Sequence, residues 1–322
     1  MNALVTGGTG LVGGHLIDAL LRRGDTVTAL VRTPLKAAAL AERGIKPVAG
    51  SLEDPGSLGA AARGQDVIYH VAGLIAAPDE AGFLAVNRDG TARLVAAATE
   101  ASAARLVLVS SLAAAGPSSR GGRLLGEETP RPVTAYGRSK LAGEAVVRSG
   151  RLPWTIVRPP PVYGPRDTEM LRVFRAARLG VAPVFGDGAQ ELSLVYGPDL
   201  GEALAAAGHS DQAIGRIFYA CHPEVITSAA LVREVASALG RRVRLVRLPR
   251  WLATGALGLA TATARLAGHV TILTPDKANE LFAPAWACDP APFEAATGWR
   301  AAHDIAAGAR ATAEWYRAAG WL

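Results

Sequence analysis

Ala3-Leu4-Val5-Thr6-Gly7-Gly8-Thr9-Gly10-Leu11-Val12-Gly13 stands at the head of the chain and governs how the rest is read. Ala3–Thr6 is a short apolar run of strand type. Leu11 then opens a stretch of helical periodicity that runs to Arg23, with Gly24 in the C-cap place. At such a strand-to-helix turn Gly7, Gly10 and Gly13 each have a use. One permits the tight turn, one lets the backbone approach a pyrophosphate, and one allows close helix–strand packing. The free N–H groups at the start of the helix then receive the phosphates. Glycine spacing alone is weak in a chain with 36 glycines, and its place between a strand and a helix gives it force. Gly7, Thr9, Gly10, Leu11, Val12 and Gly13 are therefore the first candidate cofactor contacts.

Working outward, Thr26–Val31, Asp66–Val71, Arg105–Ser110 and Trp154–Val157 read as further buried strands. Leu11–Arg23, Phe83–Ala103 and Ala135–Arg148 read as helices between them. This alternation predicts parallel strands joined by right-handed crossovers, hence a doubly wound α/β sheet of the Rossmann kind. After Gly164 the pattern loosens. Helical pieces at Thr168–Leu179, Asp199–Gly208, Ser228–Leu239 and Ala302–Trp315 mix with strands at Leu192–Tyr196, Ile217–Tyr219 and Arg242–Arg247. Residues 1–164 are expected to form the dinucleotide-binding domain. Residues 165–322 form a smaller lobe that mainly binds substrate, with one element free to return to the sheet.

Composition narrows the function. Half of the 322 residues are hydrophobic and 19% are charged, which excludes disorder and suits a packed core. Cys221 and Cys288 are the only cysteines, so no disulfide framework is needed, and with no secretory leader in view a cytoplasmic location is expected. The longest apolar stretch, Trp251 to Pro275, is broken by Arg265 and His269 and is rich in Ala, Gly and Thr. It reads as buried helices rather than a transmembrane segment, with a peripheral membrane contact as the lesser alternative. The net charge of +6 suits an anionic partner, but the run Arg241–Arg247 alternates charged and apolar residues as a half-exposed strand does. No aromatic residue interleaves with it for base stacking, which argues against nucleic acid. The six histidines form no cluster, so no metal site is expected.

Three features carry chemistry. The second strand ends at Val31-Arg32, and no acidic residue lies between Asp25 and Glu42. Arg32, with Lys36 nearby, suits a ribose 2′-phosphate, so NADP is expected, with NAD as the alternative. Tyr136-Gly137-Arg138-Ser139-Lys140 sets a phenol and an ammonium four residues apart, on one face of a helix. Carbonyl reduction needs a proton for the developing alkoxide, and an ammonium neighbour is expected to lower the phenol's pKa and to hold the cofactor ribose. Ser110-Ser111 ends a strand at the sheet's carboxyl edge, where a hydroxyl can polarise the substrate oxygen. Ser111 is chosen for that task.

Together Thr6–Gly13, Ser111, the Tyr136–Lys140 pair and Arg158-Pro159-Pro160-Pro161-Val162-Tyr163-Gly164-Pro165 resemble the extended short-chain dehydrogenase/reductases. Within the epimerase/dehydratase superfamily, the likeness is to the dihydroflavonol-reductase and 3-beta-hydroxysteroid-dehydrogenase-like branch. That resemblance implies Leu52 and Asp54 at the adenine ring and Val71, Ala72 and Gly73 beside the adenosine ribose and phosphates. It implies Asn87 as support for the strand before the active site, and Pro159 and Val162 at the nicotinamide. Ser110, Tyr136 and Lys140 complete the expected cofactor contacts. A homodimer through a four-helix bundle of Phe83–Ala103 and Ala135–Arg148 is also implied.

The function expected is interconversion of a ketone and a secondary alcohol on a mainly apolar small molecule. Related sugar-nucleotide dehydratases set an Asp-Glu pair after the strand-end hydroxyl, and here Ser111 is followed by Leu112-Ala113-Ala114, so the resemblance implies that dehydration lacks its acid. A nucleotide-sugar epimerase with tightly bound NAD is the alternative, for which Arg166 and Arg172 are offered as pyrophosphate ligands. A non-enzymatic NADP-sensing regulator is the third reading.

Overall fold

Strand residues from the first half of the chain alternate between two apolar layers. In the computed structural model, which describes residues 1–322, Ala3 and Val5 face one core while Leu4 faces the other. The sheet between these cores has seven strands, all paired in parallel. They are β1 (Asn2–Thr6), β2 (Thr26–Val31), β3 (Lys46–Ala49), β4 (Val67–His70), β5 (Arg105–Val109), β6 (Trp154–Val157) and β11 (Arg216–Phe218). Their order is β11-β6-β5-β4-β1-β2-β3, so the chain leaves β1 in one direction and returns to its other side at β4. A crevice opens at the carboxyl ends of strands where the order reverses in this way. The doubly wound sheet read from the sequence is present.

Helices cover both faces. On one side α1 (Leu11–Arg22) packs against α9 (Gly197–His209), so closely that a Cβ on Gly201 would stand 2.4 Å from the carbonyl oxygen of His15. The other side carries α3 (Pro55–Ala62), α5 (Asp89–Glu100) and α7 (Ala135–Ser149), whose Leu58, Leu94 and Val147 join the second core. Beside β2 lies α2 (Pro34–Ala41), while α4 (Glu80–Asn87) precedes α5 and the single turn α6 (Leu112–Ala115) follows β5.

The later lobe holds a third apolar core around Phe174, Leu231 and Tyr316, from α8 (Glu169–Arg178), α10 (Ser228–Ala238) and the terminal helix Ile305–Ala318. Small strands complete it: β7 (Val162–Tyr163) with β10 (Val195–Tyr196), β8 (Val181–Phe185) with β13 (Arg244–Leu248), and β9 (Glu191–Ser193) between β12 (Val225–Thr227) and β14 (Ala285–Trp286).

Three sequence expectations need correction. Phe83–Ala103 is not one helix: it breaks at Arg88, where the Thr91 hydroxyl donates to the Asn87 carbonyl at 2.8 Å. Leu192–Tyr196 is divided between β9 and β10, which pair with different partners. Trp251–Pro275 is not buried: α11 (Arg250–Leu266) encloses only Ala253 and Leu257 and leaves Trp251, Leu252, Leu259 and Leu266 in solvent. No helix is long and apolar enough to cross a membrane.

Two neutral histidines brace the glycine turn. His70, at the end of β4, meets the Thr6 hydroxyl through Nδ1 at 2.8 Å and the Thr91 hydroxyl through Nε2 at 2.9 Å. Thr6 Oγ1 takes the Ala72 N–H, and Thr91 gives its own proton to the Asn87 carbonyl. The direction of that chain assigns the proton to Nε2. Burial holds His70 down at about 3, and burial with Arg166 nearby holds His15 at about 4. Both are therefore depressed below the unfolded value. Stability is complete above pH ~6.5 and falls below it, by about 1.4 kcal/mol per pH unit for each histidine, as the unfolded chain takes up protons the folded one refuses. Urea midpoints should thus be lower at about pH 5.5 than at about pH 7, and equal midpoints would refute the neutral pair.

Candidate functional site

The glycine turn admits no side chain. Gly7 has φ +72°, and a Cβ there would lie 2.7 Å from the Ala72 nitrogen. A Cβ on Gly13 would lie 2.2 Å from the Gly7 carbonyl oxygen, while Gly10 N–H donates to that same oxygen at 3.0 Å. Gly10 is the N-cap of α1, and no side chain caps the helix. Its first N–H groups thus face the crevice with their partial positive charge available.

A cavity of about 310 Å³ opens above this helix start, between Thr9, Gly10, Gly14, Lys36, Arg43 and Arg166. Three cations therefore border the turn. Arg43 pairs with Asp18, and Arg166 donates to the same carboxylate at 2.8 Å and meets His15 Nδ1 at 2.9 Å. Arg166 holds a left-handed φ of +72°, a conformation few non-glycine residues adopt. Its guanidinium rests on Gly14, where a Cβ would come within 3.1 Å. An uncapped helix start, a turn closed to Cβ atoms and three nearby cations fit a dinucleotide pyrophosphate.

The other expected cofactor residues divide. Arg32 stands exposed at the end of β2 without an ion pair. Leu52 packs on Gly90 of α5, and its carbonyl accepts from Arg93 Nε at 2.6 Å. Asp54 is exposed and caps α3 by accepting from Gly56 N–H at 3.0 Å. After β4, Val71-Ala72-Gly73 passes close to α7: a Cβ on Gly73 would lie 2.9 Å from Asn87 Oδ1 and 3.6 Å from Lys140 Nζ. Asn87 holds that passage in place. Its amide exchanges bonds with Leu74 N–H and C=O at 2.8 and 3.0 Å and donates to Ser139 on α7 at 2.9 Å. Pro159 accepts from Leu112 N–H at 2.9 Å, beside Ser111, and Val162 lies on β7 opposite Val195.

Ser111 is the N-cap of α6: its oxygen accepts from Ala113 N–H at 3.1 Å, which leaves its proton free to donate. Tyr136 lies in the first turn of α7, partly buried against Phe83 with ring centroids 6.0 Å apart. Burial raises its phenol to about 12; the Ser111 hydroxyl draws it down and Glu280 pushes it up. Lys140, one turn on, is buried and donates to the Val109 carbonyl at 2.7 Å. Burial lowers its ammonium to about 8, against the pull of Glu144. The expected lowering of the phenol by Lys140 is absent: desolvation of the ring dominates, and Lys140 is not among the groups that act on it.

Ser110 turns away from the crevice. Its hydroxyl donates to Glu144, which lies one further turn along α7 from Lys140 and is fully buried. Arg158 grips Glu144 through Nε at 2.9 Å and Nη2 at 2.7 Å, and its Nη1 reaches Glu128 and the Tyr219 hydroxyl, both at 3.2 Å. This network fixes α7 against the end of β6. Sequence reading missed Glu144, though Tyr136, Lys140 and Glu144 share one helical face at successive spacings of four. It also missed Arg43, and Asp276 and Glu280, which accept from Ala135 N–H at 2.7 Å and the Thr134 hydroxyl at 2.9 Å where α7 begins. Nothing in their sequence neighbourhood marks these three.

Residues 3–221 match the family model described as NAD dependent epimerase/dehydratase family. A ceramide reductase of Caulobacter vibrioides is 35% identical over 320 residues, 99% of this chain and 95% of that protein. A 3 beta-hydroxysteroid dehydrogenase/Delta 5-->4-isomerase of Mycobacterium tuberculosis is 30% identical over 277 residues, 78% of this chain and 74% of its own. The solved UDP-glucose 4-epimerase of Thermus thermophilus, in complex with NAD, superposes with a TM-score of 0.78 at 24% identity, covering 99% of this chain and 100% of that one. That likeness bears on the fold alone.

The Glu144–Arg158 pair predicts a stability effect. Removing one partner strands a buried charge, so Glu144→Ala should lower unfolding free energy by about 3–5 kcal/mol. Urea unfolding measures it, and a loss below about 1 kcal/mol would show that water reaches Arg158.

Proposed function

The chain belongs to the NAD-dependent epimerase/dehydratase family, as an NAD(P)-dependent enzyme of the extended short-chain dehydrogenase/reductase type, and from that premise we propose that it is an NADP-dependent oxidoreductase interconverting a ketone and a secondary alcohol on an apolar, lipid-like molecule. The observation that carries this reading is the convergence of Tyr136, Lys140 and Ser111 at the crevice whose far end is the uncapped start of α1. Residues 1–164 carry the nucleotide in this proposal, and residues 165–322 mainly shape the substrate site.

Gly7, Thr9, Gly10, Leu11, Val12 and Gly13 would hold the pyrophosphate, with Lys36, Arg43 and Arg166 around it. Arg32, free of any carboxylate, would take the 2′-phosphate. When bound, the nicotinamide supplies or accepts the hydride. Ser111 donates its free proton to the substrate oxygen and orients it. Tyr136, protonated throughout the neutral range, delivers the proton that the developing alkoxide requires. Lys140 keeps most of its charge below pH about 8 and steadies the negative charge that moves onto the phenol.

Support for the substrate class comes from the relatives, one named for ceramide and one for a hydroxysteroid. A long-chain lipid ketone of the ceramide type is the first to try. The epimerase reading loses support, because Arg166 lies against Gly14 over the glycine turn, where the cofactor's own pyrophosphate is proposed, and Arg172 pairs with Glu169 at 3.4 Å. The proposal includes a homodimer through α4, α5 and α7, favoured by the small exposed residues Ala92, Ala96 and Ala145 on their outer faces.

NADPH oxidation with a long-chain keto-lipid tests the reading. Tyr136→Phe should cut kcat/KM by at least about a hundredfold while NADPH still binds. Arg32→Glu should lower the preference for NADPH over NADH by roughly tenfold or more, the worth of one charge-assisted phosphate contact. Full activity in Tyr136→Phe removes the catalytic assignment, and an unchanged cofactor ratio in Arg32→Glu removes the NADP assignment.

A further inference from the structure

The solvent side of α11 is its apolar side. Trp251, Gly255, Leu259, Ala262 and Leu266 recur at spacings of four, four, three and four, so they form one stripe along the helix, and all are exposed. Trp251 is 76% exposed, Leu259 67% and Leu266 90%, with Leu252 beside them in solvent. The helix anchors itself through Ala253 and Leu257 on the opposite side. A helix of a soluble protein normally turns such a stripe inward, and an outward one marks a surface that meets another apolar phase.

Charge identifies that phase. Between Glu234 and Asp276 there is no acidic residue, while Arg241, Arg242, Arg244, Arg247, Arg250 and Arg265 all fall there. All six are exposed, and none makes a salt bridge. Asp187, outside the stretch, has its carboxyl held below the usual range first by the Ala189 N–H, with smaller pulls from Arg120 and Arg247. Arg247 and Arg250 stand at the start of the apolar stripe and Arg265 at its end. An apolar helical face bounded by unpaired arginines is complementary to an anionic bilayer, whose acyl region takes the side chains and whose headgroups take the guanidinium groups. A protein partner would need acidic residues around an apolar groove, and a second copy of this chain would oppose arginine to arginine.

We propose that α11, with its flanking arginines, docks this enzyme onto the surface of anionic lipid membranes, lying in the interface without crossing it. The place is apt. Arg265 reaches the Pro78 carbonyl at 3.4 Å, beside the loop that follows Gly73, and the segment after α11 carries Asp276 and Glu280 to the start of the catalytic helix. The docked face therefore adjoins the mouth of the crevice. This inference goes beyond the ketone-reductase reading and does not depend on it, since membrane binding is read without turnover.

The full chain should co-sediment with vesicles of phosphatidylcholine and phosphatidylglycerol in equal parts, and much less with phosphatidylcholine alone. Raised salt should weaken binding. Leu259→Ser with Leu266→Ser, both exposed and outside the catalytic machinery, should reduce the bound fraction by at least about tenfold. Arg247→Ser with Arg265→Ser should do so by a similar or larger factor, at about fivefold per arginine. Circular dichroism and NADPH binding should match the parent in both variants. The proposal is overturned if the parent stays in the supernatant with both vesicle types, or if the variants bind as it does. Sedimentation equilibrium supplies the last outcome: the mass expected of an α4, α5 and α7 dimer persists in both variants, whereas its loss would assign this face to a second copy of the chain.

Discussion

No side chain fits between Gly13 and the carbonyl oxygen of Gly7, and the rest of the site follows from that approach of backbone to backbone. It brings the start of α1 against the end of β1 with its N–H groups uncapped. The same turn lies against Ala72 at the end of β4, and one residue further on Gly73 passes Lys140. The uncapped start of α1 and helix α7 are thus joined through a few contacts that only glycine allows.

Behind this surface the protein keeps its charges selectively. His70 and His15 stay neutral because burial costs more than their partners return. Burial opposes the charge of Arg158, but its hydrogen bonds to Glu144 and the charge of that carboxylate hold the guanidinium above its usual range. Lys140 lies between these cases: burial brings its ammonium to about 8, and the Val109 carbonyl accepts a hydrogen bond from it. Tyr136 keeps its proton through the same cost of burial, which acts the other way because its charged form is the anion. The donor proposed above thus stays protonated across the neutral range, beside an ammonium that loses its charge above about pH 8.

Much of the fold was legible because β1, β2, β4, β5 and β6 are short, buried runs rich in apolar and β-branched residues. β3 was not, since Lys46-Pro47-Val48-Ala49 is a short edge strand containing proline. The break at Arg88 escaped notice because helical periodicity continues through it, and only the Thr91 hydroxyl reveals the bend. Candidate site residues stood out where chemistry fixes spacing, as in the glycine turn and Tyr136–Lys140. Glu280 and Asp276 reach α7 from some 140 residues away, and no local pattern records so distant a contact. Trp251–Pro275 misled for a different reason: apolar composition signals burial, but it does not say whether protein or lipid does the burying.

Structure determination of the enzyme crystallised with NADP is the most direct test of this account. Density for the dinucleotide should cross the Gly7–Gly13 turn, with the 2′-phosphate at Arg32 and the nicotinamide beside Tyr136 and Lys140. Nucleotide bound elsewhere, or a phenol turned away from the nicotinamide into solvent, would contradict it.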